Sequence, residues 1–201
     1  SDRPARADQR PRPHVTRPEP PTDLTDAVLA AKAGSVAAFE DLYRALAPTV
    51  AAYLRWNGVG DVESLTNEVM AQVHRNLGRF TGDGTAFRSW VFTIAHHRMV
   101  DERRSVSRRP VVIEREVQET AVTGDAELDA LDALSDQELQ SLLDVLSPDQ
   151  RAVVLLRIVA DLPIDAVASA LGKQPGAIKS LQHRALATLR RHLERERIHH
   201  D

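Results

Sequence analysis

From Leu24 onward, apolar residues recur every three or four positions, and the segments they mark are punctuated by glycine, proline or Asn-Gly. That spacing describes amphipathic helices. Composition agrees: alanine, leucine, arginine and valine dominate, there are only 9 glycines, and aromatics make up 4%, too few for an aromatic-cored β-sandwich. The chain contains no cysteine. Disulfide frameworks, thiolate metal sites, iron–sulfur clusters and cysteine nucleophiles are therefore excluded. With 201 residues and 42% hydrophobic content, one or two small helical domains are expected.

Residues 1–23 hold six of the 11 prolines and almost nothing apolar, and read as a disordered or extended tail. A first stripe, Leu24, Val28 and Leu29, ends at Gly34. Ser35 can cap the next helix, which carries Phe39, Leu42, Tyr43 and Leu46. Pro48 is expected to kink or break that helix, which resumes to Trp56 and stops at Asn57-Gly58. Asp61 is a good cap for a third helix with the stripe Val62, Leu65, Val69, Val73, Leu77 and Phe80. After a glycine-rich turn at 81–85 comes a fourth helix with Phe87, Trp90, Val91 and Ile94 on one face. These four helices form one domain, residues 24–107.

Residues 108–134 are acidic and lack a sustained apolar stripe, so they read as a linker, partly helical near 128–134. The second domain spans residues 135–197. Ser135-Asp136-Gln137-Glu138 and Ser147-Pro148-Asp149-Gln150 both fit a capping box, the second with proline at the first helical position. The helices they open carry Leu139, Leu142 and Leu143, then Val153, Val154, Leu155 and Leu156, and two more helices follow at about 163–171 and 175–196.

The net charge of −3 conceals a pattern. Residues 75–109 carry a net +5, residues 110–149 a net −10, and residues 150–201 a net +4. Two basic blocks flanking an acidic one suit a polyanion-binding protein, although charge runs are also found on plainly solvated faces.

Residues 164–181 match a helix-turn-helix. Val167, Ala168 and Leu171 lie inward on the first helix, and Gly172 supplies the left-handed turn residue. Pro175 opens the second helix, whose buried stripe is Ile178, Leu181, Ala185, Leu186 and Leu189. Gln174, Ala177, Lys179, Ser180, His183 and Arg184 then face outward near its start, the part of such a helix that meets base edges in a major groove. Lys179 and Arg184 suit phosphates or guanine, and Gln174 suits adenine. An ordinary helical hairpin with a solvated face is the alternative.

Taken together, the segments resemble the extracytoplasmic-function sigma factors of bacteria, over about residues 24–195. Ala38-Phe39-Glu40-Asp41-Leu42-Tyr43 looks like the opening of sigma region two. Asp61-Val62-Glu63-Ser64-Leu65-Thr66-Asn67-Glu68-Val69 resembles the D-x-E-D-L-x-Q-E segment, with Ser64 and Asn67 as departures. Phe87-Arg88-Ser89-Trp90-Val91-Phe92-Thr93-Ile94-Ala95 is similar to F-R-x-W-L/V-x-x-I-A, continued by Arg98 and Asp101. Leu146-Ser147-Pro148-Asp149-Gln150-Arg151 looks like the opening of region four, and Gly176-Ala177-Ile178-Lys179-Ser180 matches G-x-V/I-K-S. Gln174-Pro175 and Leu181-Gln182 depart from the usual residues of the reading helix.

The resemblance implies an all-α protein of two domains joined by the acidic linker, which binds core RNA polymerase and directs initiation at promoter DNA, under control of an anti-sigma protein. It implies that the third helix docks on the polymerase clamp through Glu63, Leu65, Asn67, Glu68 and Val69, with Leu65 and Val69 equally suited to the domain's own core. It implies that Thr81, Asp83, Arg88, His96, His97, Arg98, Asp101, Arg103 and Arg104 meet the minus-ten element, and that Gln174, Ala177, Lys179, Ser180, His183 and Arg184 meet the minus-thirty-five element. The arginines, with Arg108 and Arg109, independently suit phosphates. Trp90 lies on the buried stripe and reads as core rather than as a melting wedge. The acidic linker would thread into the polymerase near the RNA exit path, or serve as a solubilising tether.

Two other classes fit less well. His74, His96, His97, Asp101 and Glu102 offer possible metal ligands, but no H-E-x-x-H pattern is present. A plain helix-turn-helix repressor would leave the region-two segments unexplained. No catalytic role and no cofactor are expected. No run of 18 apolar residues and no apolar leader segment is present, so a cytoplasmic protein without membrane insertion is expected.

Overall fold

Ser35 ends one helix and opens another: its side chain accepts from the Ala38 N–H, 3.2 Å away, while Gly34 takes a left-handed φ of 97°. Such local signals divide the chain into helices throughout. The computed structural model describes residues 24–108 and 136–199. In order these form α1 (Thr25–Lys32), α2 (Val36–Trp56), α3 (Val62–Asn76), a 3₁₀ turn (Leu77–Arg79), α4 (Gly84–Arg108), α5 (Asp136–Asp144), α6 (Pro148–Ile158), α7 (Ile164–Leu171) and α8 (Pro175–His199), with no strand among the described residues. The tail at 1–23, Ser135 and nearly all of the linker at 108–134 lie outside them.

Asp61 caps α3 by accepting from the Ser64 N–H at 2.9 Å, and Asp83 caps α4 by accepting from the Ala86 N–H at 2.8 Å. The Ser147 capping box forms as expected. Ser147 accepts from Gln150 N at 3.4 Å, and its own N–H donates to the Gln150 side chain at 3.0 Å. Each such cap satisfies an otherwise orphaned backbone donor and contributes about 1 kcal/mol.

Pro48 does not break α2, which runs through it. Its flanks explain why: Leu46 and Val50 are fully buried and Ala47 nearly so, and this anchorage offsets the roughly 3 kcal/mol that an interior proline costs. Two stripes are narrower than expected. Leu29 is 57% exposed, and Ala31 completes the α1 core face in its place. Leu186 is 44% exposed, one position past the fully buried Ala185.

The first domain packs α1, α2 and α4 against one another and α3 between α2 and α4. Its centre is Leu42, Leu46, Tyr53, Leu54, Met70, Phe87, Phe92 and Met99. Trp90 stacks on Phe80 with ring centroids 5.1 Å apart, in keeping with a packing role. In the second domain α8 packs on α5, α6 and α7 around Leu156, Leu162, Val167 and Ile178. The two domains also touch: α7 packs along α4, and α6 meets α2.

Candidate nucleic-acid interfaces

The helix-turn-helix is built by its turn. Gly172 closes α7 with φ 61° and ψ 35°, and the Lys173 N–H returns to the Ala168 carbonyl at 2.9 Å. Only a residue without a Cβ takes that conformation at no steric cost. Pro175 then starts α8, and the fully buried Ile178 and Ala185 fix its rotation. Gln174, Ala177, Lys179, Ser180, His183 and Arg184 are consequently all exposed. Two of them are already oriented: the Ser180 hydroxyl donates to Gly176 O at 3.0 Å, and Arg184 Nε donates to Ser180 O at 3.2 Å. Arg184 thus uses one of its five N–H groups locally.

The residues expected on α4 do not share one face. Arg88, His96 and Arg103, spaced eight and seven apart, form one stripe. His97, Asp101 and Arg104, spaced four and three, form a second that faces solvent. Arg98 turns a third way, toward α3, where it donates to Glu68. Thr81 and Asp83 lie exposed in the preceding loop.

The first stripe is partly covered: Arg88 and His96 are half-buried, whereas Arg103 is exposed. His96 Nδ1 lies 2.9 Å from the hydroxyl of the fully buried Tyr53. Burial raises the Tyr53 pKa far above its ordinary value, so the phenol stays protonated beside a neutral imidazole, and the ring's tautomer sets which of the two donates. Burial pushes His96 down to about 4, aided by the neighbouring His97 and Arg103 and opposed by Asp149. Arg103 donates to Asn57 O, at the end of α2. Arg88 is lowered by burial, with the Asp161 carboxylate acting against the shift. His96 and Arg88 are thus partly withdrawn from the surface that the sequence assigns to them.

On α3, Glu63, Asn67 and Glu68 are exposed, but Leu65 (6% exposed) and Val69 (fully buried) belong to the core. As surface contacts for a partner these two are corrected: they fall on the inward stripe that holds α3 in the domain. Asn67 Oδ1 accepts from the Tyr43 hydroxyl at 2.9 Å. Tyr43, 38% exposed, adds an aromatic edge to this surface that the sequence had placed in the core.

One feature had no sequence signal beyond its two aromatic residues. An open hollow of about 260 Å³ lies between α3, the 3₁₀ turn and α4, lined by Gln72, Asn76, Arg79, Phe80, Trp90 and Ile94. Stacked rings, amides and a guanidinium are the groups that hold an unstacked base. Among the described residues no three His, Asp or Glu side chains cluster as a metal site would require, and no helix is long and apolar enough to cross a membrane.

Comparison with known proteins matches these two halves separately. The family described as Sigma-70 region 2 matches residues 42–109, and Sigma-70, region 4 matches residues 136–189. ECF RNA polymerase sigma factor SigD of Mycobacterium tuberculosis (strain ATCC 25618 / H37Rv) is 31% identical over 174 residues, covering 82% of this chain and 82% of SigD. BldN, an ECF RNA polymerase sigma factor of Streptomyces coelicolor, is 34% identical over 171 residues, covering 84% of this chain but 65% of BldN, so the chain spans less than two thirds of that relative. Among solved structures, the sigma factor RpoE of Bartonella quintana, in complex with the anti-sigma factor NepR, superposes with a TM-score of 0.64 at 22% identity, covering 79% of this chain and 98% of RpoE.

Proposed function

The chain belongs to the ECF RNA polymerase sigma factors, and from that membership we propose that it binds core RNA polymerase and directs initiation at promoters carrying its own minus-ten and minus-thirty-five elements. The observation that carries the proposal is the presence in one chain of two separate surfaces whose chemistry suits nucleic acid, the outward face of α8 and the basic α4 with its adjoining hollow. A repressor needs only the first.

In this reading α8 enters the major groove of the minus-thirty-five element, with Gln174, Ala177, Lys179, Ser180 and His183 near base edges and Arg184 near phosphate. The solvent-facing stripe His97, Asp101 and Arg104, with Thr81 and Asp83, lies along the minus-ten element, and the Phe80–Trp90 hollow holds an unstacked base. Glu63, Asn67 and Glu68 present a polar, acidic face to a basic partner on the polymerase. The chain performs no catalytic step itself; the polymerase does. Control by an anti-sigma protein and a cytoplasmic location follow from the family, and RpoE was itself solved with such a protein.

A gel shift with and without core polymerase tests this reading. Promoter binding that appears only with core supports it. Tight, sequence-specific duplex binding by the isolated chain, unchanged by core, refutes it.

A further inference from the structure

The match to Sigma-70 region 2 begins at residue 42, and α1 stands before it in the chain. Leu24, Val28 and Ala31 are buried where α1 packs against α2, α4 and the 3₁₀ turn. Two polar residues of the same helix, seven positions and so two turns apart along one side, do something that this packing does not require. Thr25, the first residue of α1, accepts from the Gly84 N–H at 2.8 Å. Lys32, its last, donates to the Phe80 carbonyl. Phe80 and Gly84 are the two ends of the loop that leads into α4.

Both loop groups need a partner from outside their own element. The Gly84 N–H is the first of α4, where no intrahelical acceptor exists, and Asp83 is already engaged with the Ala86 N–H. Phe80 leaves the 3₁₀ turn extended, with φ −66° and ψ 138°, and is buried. Between these anchors Thr81, Gly82 and Asp83 are exposed. Gly82 takes a φ of 143°, and a Cβ there would lie 2.8 Å from the Ala86 Cβ and 3.0 Å from the Phe80 Cζ. The middle of the loop thus rests on the Phe80 ring, which stacks on Trp90 and walls the hollow.

We propose that α1 is a positioning element for the minus-ten surface: Thr25 and Lys32 clamp the two ends of the 80–84 loop, so that the loop and the Phe80–Trp90 hollow are set for an unstacked base before promoter DNA arrives. The proposal rests on the reading of Thr81, Asp83 and the hollow as minus-ten contacts. A loop with two glycines loses much conformational freedom when a ligand orders it. Here the ordering is completed on folding rather than on binding, which is the gain of preorganisation. Specificity gains as well, because a fixed wall rejects a base of the wrong shape, whereas a loose loop adapts to it. Neither Thr25 nor Lys32 needs to touch DNA for this.

The test uses two variants of the full chain. Thr25→Val with Lys32→Met removes both hydrogen bonds at similar side-chain volume, and Thr25→Ser with Lys32→Arg keeps both. Hydrogen exchange at the Gly84 amide, read by NMR, should quicken about tenfold in the first variant and match the parent in the second. Transcription with core polymerase from single-base promoter variants is measured beside it. In the first variant the preference at a minus-ten base should fall about fivefold, while preference at minus-thirty-five bases and co-elution with core stay unchanged. Each preference is a ratio measured within one protein, so a smaller folded fraction does not mimic its loss. Unchanged Gly84 exchange overturns the clamp. Faster exchange with an unchanged minus-ten preference, or a preference lost equally at both elements, overturns the positioning role. So does a Ser/Arg variant that behaves like the Val/Met one. A parent chain that initiates with core yet prefers no base at any minus-ten position overturns the reading of the hollow instead.

Discussion

Arg98 and Glu68 form an ion pair that ties α4 to α3. One is assigned to promoter DNA and the other to polymerase, and in the isolated chain each occupies the other. Both side chains keep substantial solvent exposure, 39% and 49%, so the pair contributes only about 0.2–1 kcal/mol to stability. Glu68→Lys should therefore weaken core-polymerase binding by reversing a charge at the contact while the fold stays intact. Affinity for core polymerase and the circular-dichroism melt, measured on the same sample, check this. Unchanged affinity with an unchanged melt would place the polymerase contact elsewhere.

The Tyr53–His96 hydrogen bond predicts a pH dependence. Folding holds His96 near 4, below its ordinary 6.5, because burial disfavours the cation. Between these values the unfolded chain binds more protons than the folded one. The contribution is thus fully present above pH 6.5 and is lost as pH falls toward 4. His96→Gln keeps a hydrogen-bonding group for the Tyr53 hydroxyl but does not titrate. Urea midpoints between pH 7 and 4.5 should fall less steeply for this variant than for the parent.

Gly172 offers a clean backbone test. Nothing lies within 4 Å of the position a Cβ would take, so Gly172→Ala adds no clash and only the left-handed conformation opposes it. The expected loss is about 1 kcal/mol, following the 1–2 kcal/mol that L-residues pay in that region. Thermal melting of the full chain checks it. A larger loss would mean that the α7–α8 turn has shifted.

These residues also mark how far the sequence could be read. Helix boundaries were legible because they are local: Ser35, Asp61, Ser147 and Gly172 act within four residues of themselves. The face of α8 was legible because Ile178 and Ala185 leave one rotation. Leu29 and Leu186 misled because each adjoins the true stripe, and periodicity alone does not set its width. Leu65 and Val69 fitted both core and contact until packing decided. The minus-ten set was pooled from family resemblance, although its own spacings already divide it into stripes. The packing of α7 along α4 joins segments more than 50 positions apart, and no local signal announces such a contact.

Lys179 and Arg184, five residues apart on α8, separate reading from anchoring. A lost guanine contact costs roughly 1–3 kcal/mol of discrimination. A lost phosphate contact weakens all sequences alike and lowers the salt slope by about one unit. Lys179→Ala should relax preference at one base pair of the minus-thirty-five element, and Arg184→Ala should reduce transcription from every promoter by a similar factor. Neither should change binding to core polymerase. Single-base promoter variants at two salt concentrations distinguish them. Uniform loss for both would move base reading to Gln174, Ser180 or His183.

The most direct test of the central claim is in vitro transcription by core polymerase from a genomic promoter library, with and without this chain. Initiation from a discrete set of promoters that share two spaced elements, appearing only when chain and core are both present, is the predicted result. A transcript profile identical with and without the chain, despite its stable association with core polymerase, would contradict it.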